Sequence, residues 1–316
     1  MKVTDIIQGS TKPYPSLEIV PPLHGIRKEE LLDTVKQFMP FEPKYINVTC
    51  HRDEYEFRER PDGTFSKHLV RNRVSPVAVC GSIMAKYAVE LVPHVICGGQ
   101  TTDEIMSELH DLRYLGIDNI MALRGDSLIS EKRFVPTKGG YGYASELVTA
   151  VRQFNAEHED EFCIGVGAYP EKHFEAANLE SDIAMLKKKV DAGADYIITQ
   201  MFFDNEVFYR FERKCREAGI TVPIIPGLKP LSTIRQLTLL PESFSIDIPL
   251  ELTTQVKEAT QGRSASDPKA KEAVYQTGVD WCIAQCKGLL AHGVPAVHFY
   301  TMGKPRNIVE VLRTCF

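Results

Sequence analysis

Lys189-Val190-Asp191-Ala192-Gly193-Ala194-Asp195-Tyr196-Ile197-Ile198 ends a helix, turns on a glycine and enters a strand. Ile183, Leu186 and Val190 before it recur on one helical face, and the apolar run after it has strand length. The same unit stands at Leu112-Arg113-Tyr114-Leu115-Gly116-Ile117-Asp118-Asn119-Ile120-Met121-Ala122-Leu123. It returns at Gly219 before Val222-Pro223-Ile224-Ile225, and at Gly293 before Ala296-Val297-His298-Phe299-Tyr300. Each glycine sits where a helix stops and the backbone must turn left-handed. Apolar runs with polar residues only at their ends suit strands buried on both faces of a parallel sheet.

Further strand candidates are residues 16–20, 45–49, 92–97 and 163–167, which with the four units make eight. Ile105, Leu109 and Leu112 form another helical face, behind a capping box of Thr101 and Glu104. Strand and helix alternate along the whole chain, which means α/β, and eight strands fit a closed (β/α)8 barrel of TIM type. A doubly wound sheet is the alternative, but no G-x-G-x-x-G follows the first strand. Residues 55–64 are charged and carry Pro61-Asp62-Gly63, so a hairpin or loop is expected as an insert after strand two. Residues 240–268, broken by Pro241, Pro249 and Pro268, are expected to hold one short extra helix. No linker divides residues 1–316, so a single catalytic domain is expected.

The 316 residues carry a net charge of -5 with no basic tract, which argues against a nucleic-acid partner. No apolar run approaches the roughly 20 residues of a membrane span, and no signal-peptide pattern opens the chain, so a cytoplasmic location is expected. The eight cysteines are scattered and read as thiols. Cys282 and Cys286, one helical turn apart, lack a second ligand pair, so no metal is expected.

Barrel chemistry gathers at the C-terminal ends of the strands. Glu18 lies inside an apolar strand, where an acid must be paired, solvated or protonated. One reading is a salt-bridged barrel residue; the other is a general acid. The remaining strand ends supply Thr49-Cys50-His51, His94, Arg124-Gly125-Asp126, Tyr169-Pro170-Glu171-Lys172-His173, Gln200 and Tyr300. Amides, carboxylates and rings at one rim suit a flat heteroaromatic ligand. There is no P-loop and no serine nucleophile elbow.

Taken in order, Leu17-Glu18-Ile19-Val20-Pro21-Pro22, Pro93-His94-Val95-Ile96-Cys97, Ala122-Leu123-Arg124-Gly125-Asp126, Ala168-Tyr169-Pro170-Glu171-Lys172-His173, Ile198-Thr199-Gln200 and His298-Phe299-Tyr300-Thr301 are telling. Their order and spacing resemble the methylenetetrahydrofolate reductase family, in its single-domain bacterial form. The resemblance implies a non-covalent FAD across the barrel top. Thr49, His94, Arg124, Gly125, Asp126, Tyr143, Ala144, Tyr169, His173, Ala176, Asp182, Lys188 and Lys189 would hold it. Gln200, Gln236, Tyr300 and Lys304 would bind the folate. Glu18 would be the catalytic acid, and Asp126 would tune the flavin and favour the cationic folate intermediate. The implied activity is ping-pong reduction of 5,10-methylenetetrahydrofolate to 5-methyltetrahydrofolate by NADH or NADPH, feeding methionine synthesis. A homo-oligomer is also implied.

The chain departs from the family pattern at Cys50-His51-Arg52 and at Met302-Gly303-Lys304, and Leu240 stands near where an aromatic is expected. The alternatives are a flavin barrel with another acceptor, a pterin-binding barrel, or a non-catalytic subunit of a complex.

Overall fold

The computed structural model describes residues 1–128, 131, 133–158, 161–303 and 305–316. Its strands are β1 (Tyr14–Ile19), β2 (Tyr45–Val48), β3 (Glu54–Glu59), β4 (Phe65–Val70), β5 (Glu90–Ile96), β6 (Asn119–Leu123), β7 (Cys163–Ala168), β8 (Tyr196–Met201), β9 (Ile224–Leu228) and β10 (Ala296–Tyr300). Eight of them close a barrel in the order β1-β2-β5-β6-β7-β8-β9-β10, with β10 returning to β1. Every pairing in the barrel is parallel. The expected (β/α)8 fold is therefore present.

The four glycines of the repeated unit have left-handed backbones, with φ of 79° at Gly116, 118° at Gly193, 77° at Gly219 and 94° at Gly293. A residue with a Cβ is strained in that left-handed conformation, so these positions set where each helix ends. The helices bury one face against the outside of the barrel. Ile105, Leu109 and Leu112 of Thr102–Tyr114 join Ile183 and Leu186 of Leu179–Asp191 in that layer. Strand residues of opposite parity fill the inside. Tyr14, Tyr45, Val92, Met121, Cys163, Tyr196, Ile198, Ile225 and Ala296 form the lower interior cluster.

A short helix, Val3–Gly9, plugs the bottom of the barrel with Val3 and Ile6. The Val3 amide donates to Asn119 Oδ1 at 2.7 Å, and Asn119 Nδ2 donates to the Met1 carbonyl at 2.9 Å. Seven residues are too few for a helical period to show in sequence, so this element was not anticipated.

The insert after β2 is a hairpin. β3 and β4 pair antiparallel from Glu54↔Val70 to Glu59↔Phe65. Gly63, at φ 80°, donates to the Arg60 carbonyl at 2.9 Å, and Asp62 Oδ1 accepts from the Thr64 amide at 2.9 Å. The Pro61-Asp62-Gly63 signal thus marks the turn. The segment expected to carry one short helix contains the end of Gln236–Phe244 and the whole of Leu250–Thr260. Pro241 stands inside the first of these, where it lacks an N–H for the helix ladder, and Leu240 beside it is buried. Among the described residues no helix is long and apolar enough to cross a membrane.

Candidate active site

Parallel pairing puts register partners on the same face of the sheet. Ser16 pairs with His298, and Glu18 pairs with both Tyr300 and Asn47. These side chains, with His94 of β5, converge inside the upper barrel. The Glu18 side chain is only 16% exposed, and its Oε2 lies 3.7 Å from His94 Nε2 and 3.9 Å from His298 Nε2. Both imidazoles are buried. His298 Nδ1 is 2.9 Å from Ser16 Oγ, which fixes the ring. Burial drives the pKa of His94 down to about 4, against the opposing pull of the Glu18 carboxylate. His94 is therefore neutral at pH 7 and adds no charge beside the acid.

Tyr300 lies across the next strands. Its hydroxyl donates to the Thr199 carbonyl at 2.6 Å, and its ring meets His298 edge-on at 5.0 Å. Burial, then the nearby Glu18 charge, raises the phenol pKa well above its usual value, so Tyr300 stays a donor. Gly227 makes this posture possible: a Cβ there would lie 2.3 Å from the Thr199 carbonyl oxygen and 2.5 Å from the Tyr300 ring.

A second cluster sits at the rim beyond β6 and β7. Arg124 Nη1 reaches Glu175 Oε2 at 2.5 Å. Asp182 Oδ2 accepts from the His173 amide at 2.9 Å, and the His173 ring lies edge-on to Tyr169 at 4.7 Å. Burial, then the Arg124 guanidinium, lowers the His173 pKa. Lys189 Nζ donates to the Gly167 carbonyl at 2.8 Å; burial lowers its pKa to about 8, with Asp182 opposing. Gly125 adopts a left-handed φ of 83°, and a Cβ there would lie 3.3 Å from Ile96 Cβ. An Arg124–Glu175 ion pair and the Lys189 ammonium, beside the rings of Tyr169 and His173, suit a diphosphate joined to an aromatic group.

The other expected residues occupy varied settings. Thr49 is buried at the end of β2, with Oγ1 3.0 Å from His51 Nε2. Asp126 is exposed, and its charge reaches Tyr169 and His51. Tyr143 is 53% exposed and Ala144 buried at the start of helix Ala144–Ala156. The Ala176 carbonyl accepts from Lys172 Nζ at 3.1 Å. Lys188 is exposed on helix Leu179–Asp191. Gln200 Oε1 accepts from the Met201 amide at 2.9 Å. Gln236 Oε1 accepts from the Ser232 amide at 2.7 Å, so its carbonyl is engaged in its own turn. Lys304 lies outside the described residues.

Sequence reasoning missed Ser16 and His298 as neighbours of Glu18, and Glu175 as the partner of Arg124. Barrel closure and a loop turn bring these together, and neither leaves a periodic signal. Lys172, quoted in the sequence only within the run after strand five, holds a left-handed φ of 75°, strain that its contact with Ala176 supports.

Glu171 is a further finding. Its Oε2 accepts from the Asp247 amide at 2.6 Å, and burial raises its pKa from 4.5 to about 7. A carboxyl raised on folding stabilises below its unfolded pKa, and that contribution is lost as pH climbs through the folded value. Glu171→Gln is therefore expected to raise the melting temperature by about 2 °C or more at pH 8 and to leave it unchanged at pH 4. Thermal melts at the two pH values check this, and an equal shift at both would contradict it.

The chain was compared with known proteins. A family profile described as methylenetetrahydrofolate reductase matches residues 2–315. Methylenetetrahydrofolate reductase (NADH) 1 of Arabidopsis thaliana is 32% identical over 99% of this chain, which spans half of that relative's length. The 5,10-methylenetetrahydrofolate reductase of Escherichia coli is 31% identical over 95% of this chain and 89% of its own. A solved structure from Clostridium thermocellum, described as an uncharacterized protein that binds two copies of 5-methyl-5,6,7,8-tetrahydrofolic acid, has the same fold. Its TM-score is 0.62 at 13% identity, over 99% of this chain and 97% of that one. With nearly every residue inside the matching profile, the chain belongs to the methylenetetrahydrofolate reductase family.

Proposed function

We propose that this chain reduces 5,10-methylenetetrahydrofolate to 5-methyltetrahydrofolate with NAD(P)H, as one catalytic domain spanning residues 1–316. The observation that carries the reading is the Glu18 carboxyl, nearly enclosed at the barrel mouth beside two imidazoles, next to a separate cationic cluster at the rim. The first is built for proton delivery, the second for a diphosphate.

The rim residues fit a non-covalent FAD. Arg124 and Lys189 would meet the diphosphate, with Glu175 and the Gly167 carbonyl orienting them, and Tyr169 and His173 would flank the aromatic group. FAD bound there would supply the hydride chemistry that links nicotinamide to folate, in a ping-pong sequence. Glu18 would give a proton to N10 of the substrate and open its five-membered ring. Tyr300 would wall the substrate side, and Asp126 would place negative charge near the cationic folate that results. NADH is the favoured reductant, as it is in the name of the Arabidopsis relative. The product would feed methionine synthesis. The setting would be cytoplasmic, with a homo-oligomer and no nucleic-acid partner.

Lys189 makes the cofactor assignment testable. It is cationic below its pKa of about 8 and neutral above it, so attraction to the diphosphate fades as pH rises. The Kd for FAD, read by flavin fluorescence, is expected to weaken by about tenfold between pH 7 and pH 9, and to stay flat in Lys189→Gln. Equal pH dependence in both proteins would remove Lys189 from the site, and no FAD binding at any pH would remove the flavin reading.

A further inference from the structure

Arg52 follows β2, and its side chain is only 11% exposed. Its Nη1 lies 3.0 Å from Glu131 Oε2 and donates to the Asp126 carbonyl at 3.3 Å. The same Glu131 oxygen accepts from the Leu128 amide at 3.2 Å. The Arg52 guanidinium carbon lies 5.6 Å from the centre of the Phe134 ring, and that of Arg124 lies 4.8 Å from it. The stem of Arg52 rests on the loop after β5: a Cβ on Gly98 would come within 2.7 Å of Arg52 Cδ. One side chain thus gathers three strand ends, and through Phe134 it also touches Arg124 of the rim cluster.

A nearly buried guanidinium is costly unless it is paired and stacked. Arg52 has both kinds of partner on the loop that begins with Asp126. Farther along the same loop, Arg133, Val135, Pro136 and Lys138 are exposed.

We infer that Arg52 is a positioning residue: it ties the loop after β6 to the ends of β2 and β5, and so fixes where Asp126 stands at the rim. The role of Asp126 rests on the function proposed above; the tie itself does not. Lysine can still reach Glu131 as a point charge but has no flat face for Phe134, so Arg52→Lys keeps only part of the tie.

The test uses the full-length protein in two arms. Limited trypsin digestion, followed by mass spectrometry, reads opening of the loop. Arg52→Ala is expected to speed cleavage after Arg133 and Lys138 by about tenfold, with Arg52→Lys and Glu131→Gln in between. An unchanged cleavage rate in all three variants would overturn the tie, whatever the catalytic result. The second arm is a double-mutant cycle with Asp126→Ala, read as the midpoint potential of bound FAD and the rate of folate reduction. Arg52→Ala should move both in the direction of Asp126→Ala and add nothing once Asp126 is gone. Fully additive effects would overturn the positioning role. A protein that binds no FAD would refute the proposed function and leave the digestion arm to decide the tie.

Discussion

Glu18→Gln is expected to reduce bound flavin with NADH at close to the parent rate while slowing folate reduction by about 10²–10⁴-fold. Glutamine has the same shape and keeps a polar partner for His94 and His298, so the barrel mouth should hold its form. What it lacks is a transferable proton. His94 cannot substitute, because burial lowers its pKa to about 4 and leaves it neutral at working pH. Hydride transfer from nicotinamide needs no proton from this position, which is why the two half-reactions should separate. Anaerobic stopped-flow measurement of each half-reaction checks the split. Folate reduction at the parent rate would show that Glu18 is a structural barrel residue instead of the acid.

Gly227→Ala is expected to be nearly as damaging through a different cause. The new methyl would meet the Thr199 carbonyl oxygen at 2.3 Å on one side and the Tyr300 ring at 2.5 Å on the other. The carbonyl belongs to β8, to which β9 is paired, and the Gly227 amide itself donates to Thr199 Oγ1 at 3.0 Å. Strand separation and rotation of Tyr300 are the available responses, and overpacking of this kind costs about 1–3 kcal/mol. With Tyr300 walling the substrate side as proposed, its displacement should weaken folate binding. The melting temperature should fall by several degrees, and affinity for 5-methyltetrahydrofolate should drop by about tenfold or more. A destabilised protein that still binds the folate normally would remove Tyr300 from the substrate side.

The barrel was legible because its signal is local and repeated. A helix face, a left-handed glycine and a buried strand recur at Gly116, Gly193, Gly219 and Gly293, and local backbone chemistry dictates each step. The hairpin was legible for the same reason, through Pro61-Asp62-Gly63. The environment of Glu18 was not. Ser16 and His298 are 282 residues apart, and only closure of β10 onto β1 brings them into contact. Arg52 stood out in the sequence as a departure, but its neighbours Glu131 and Phe134 lie on a loop with no periodic pattern. Glu175, likewise, reaches Arg124 only through the turn after β7.

The reductase reading meets its most direct test in the absorbance spectrum of the purified, FAD-loaded protein under anaerobic conditions. NADH is added first and methylenetetrahydrofolate second. The flavin bands should bleach with NADH and return in full with the folate. A flavin that bleaches and stays bleached would contradict folate as the acceptor, and a protein that takes up no FAD would contradict the cofactor assignment itself.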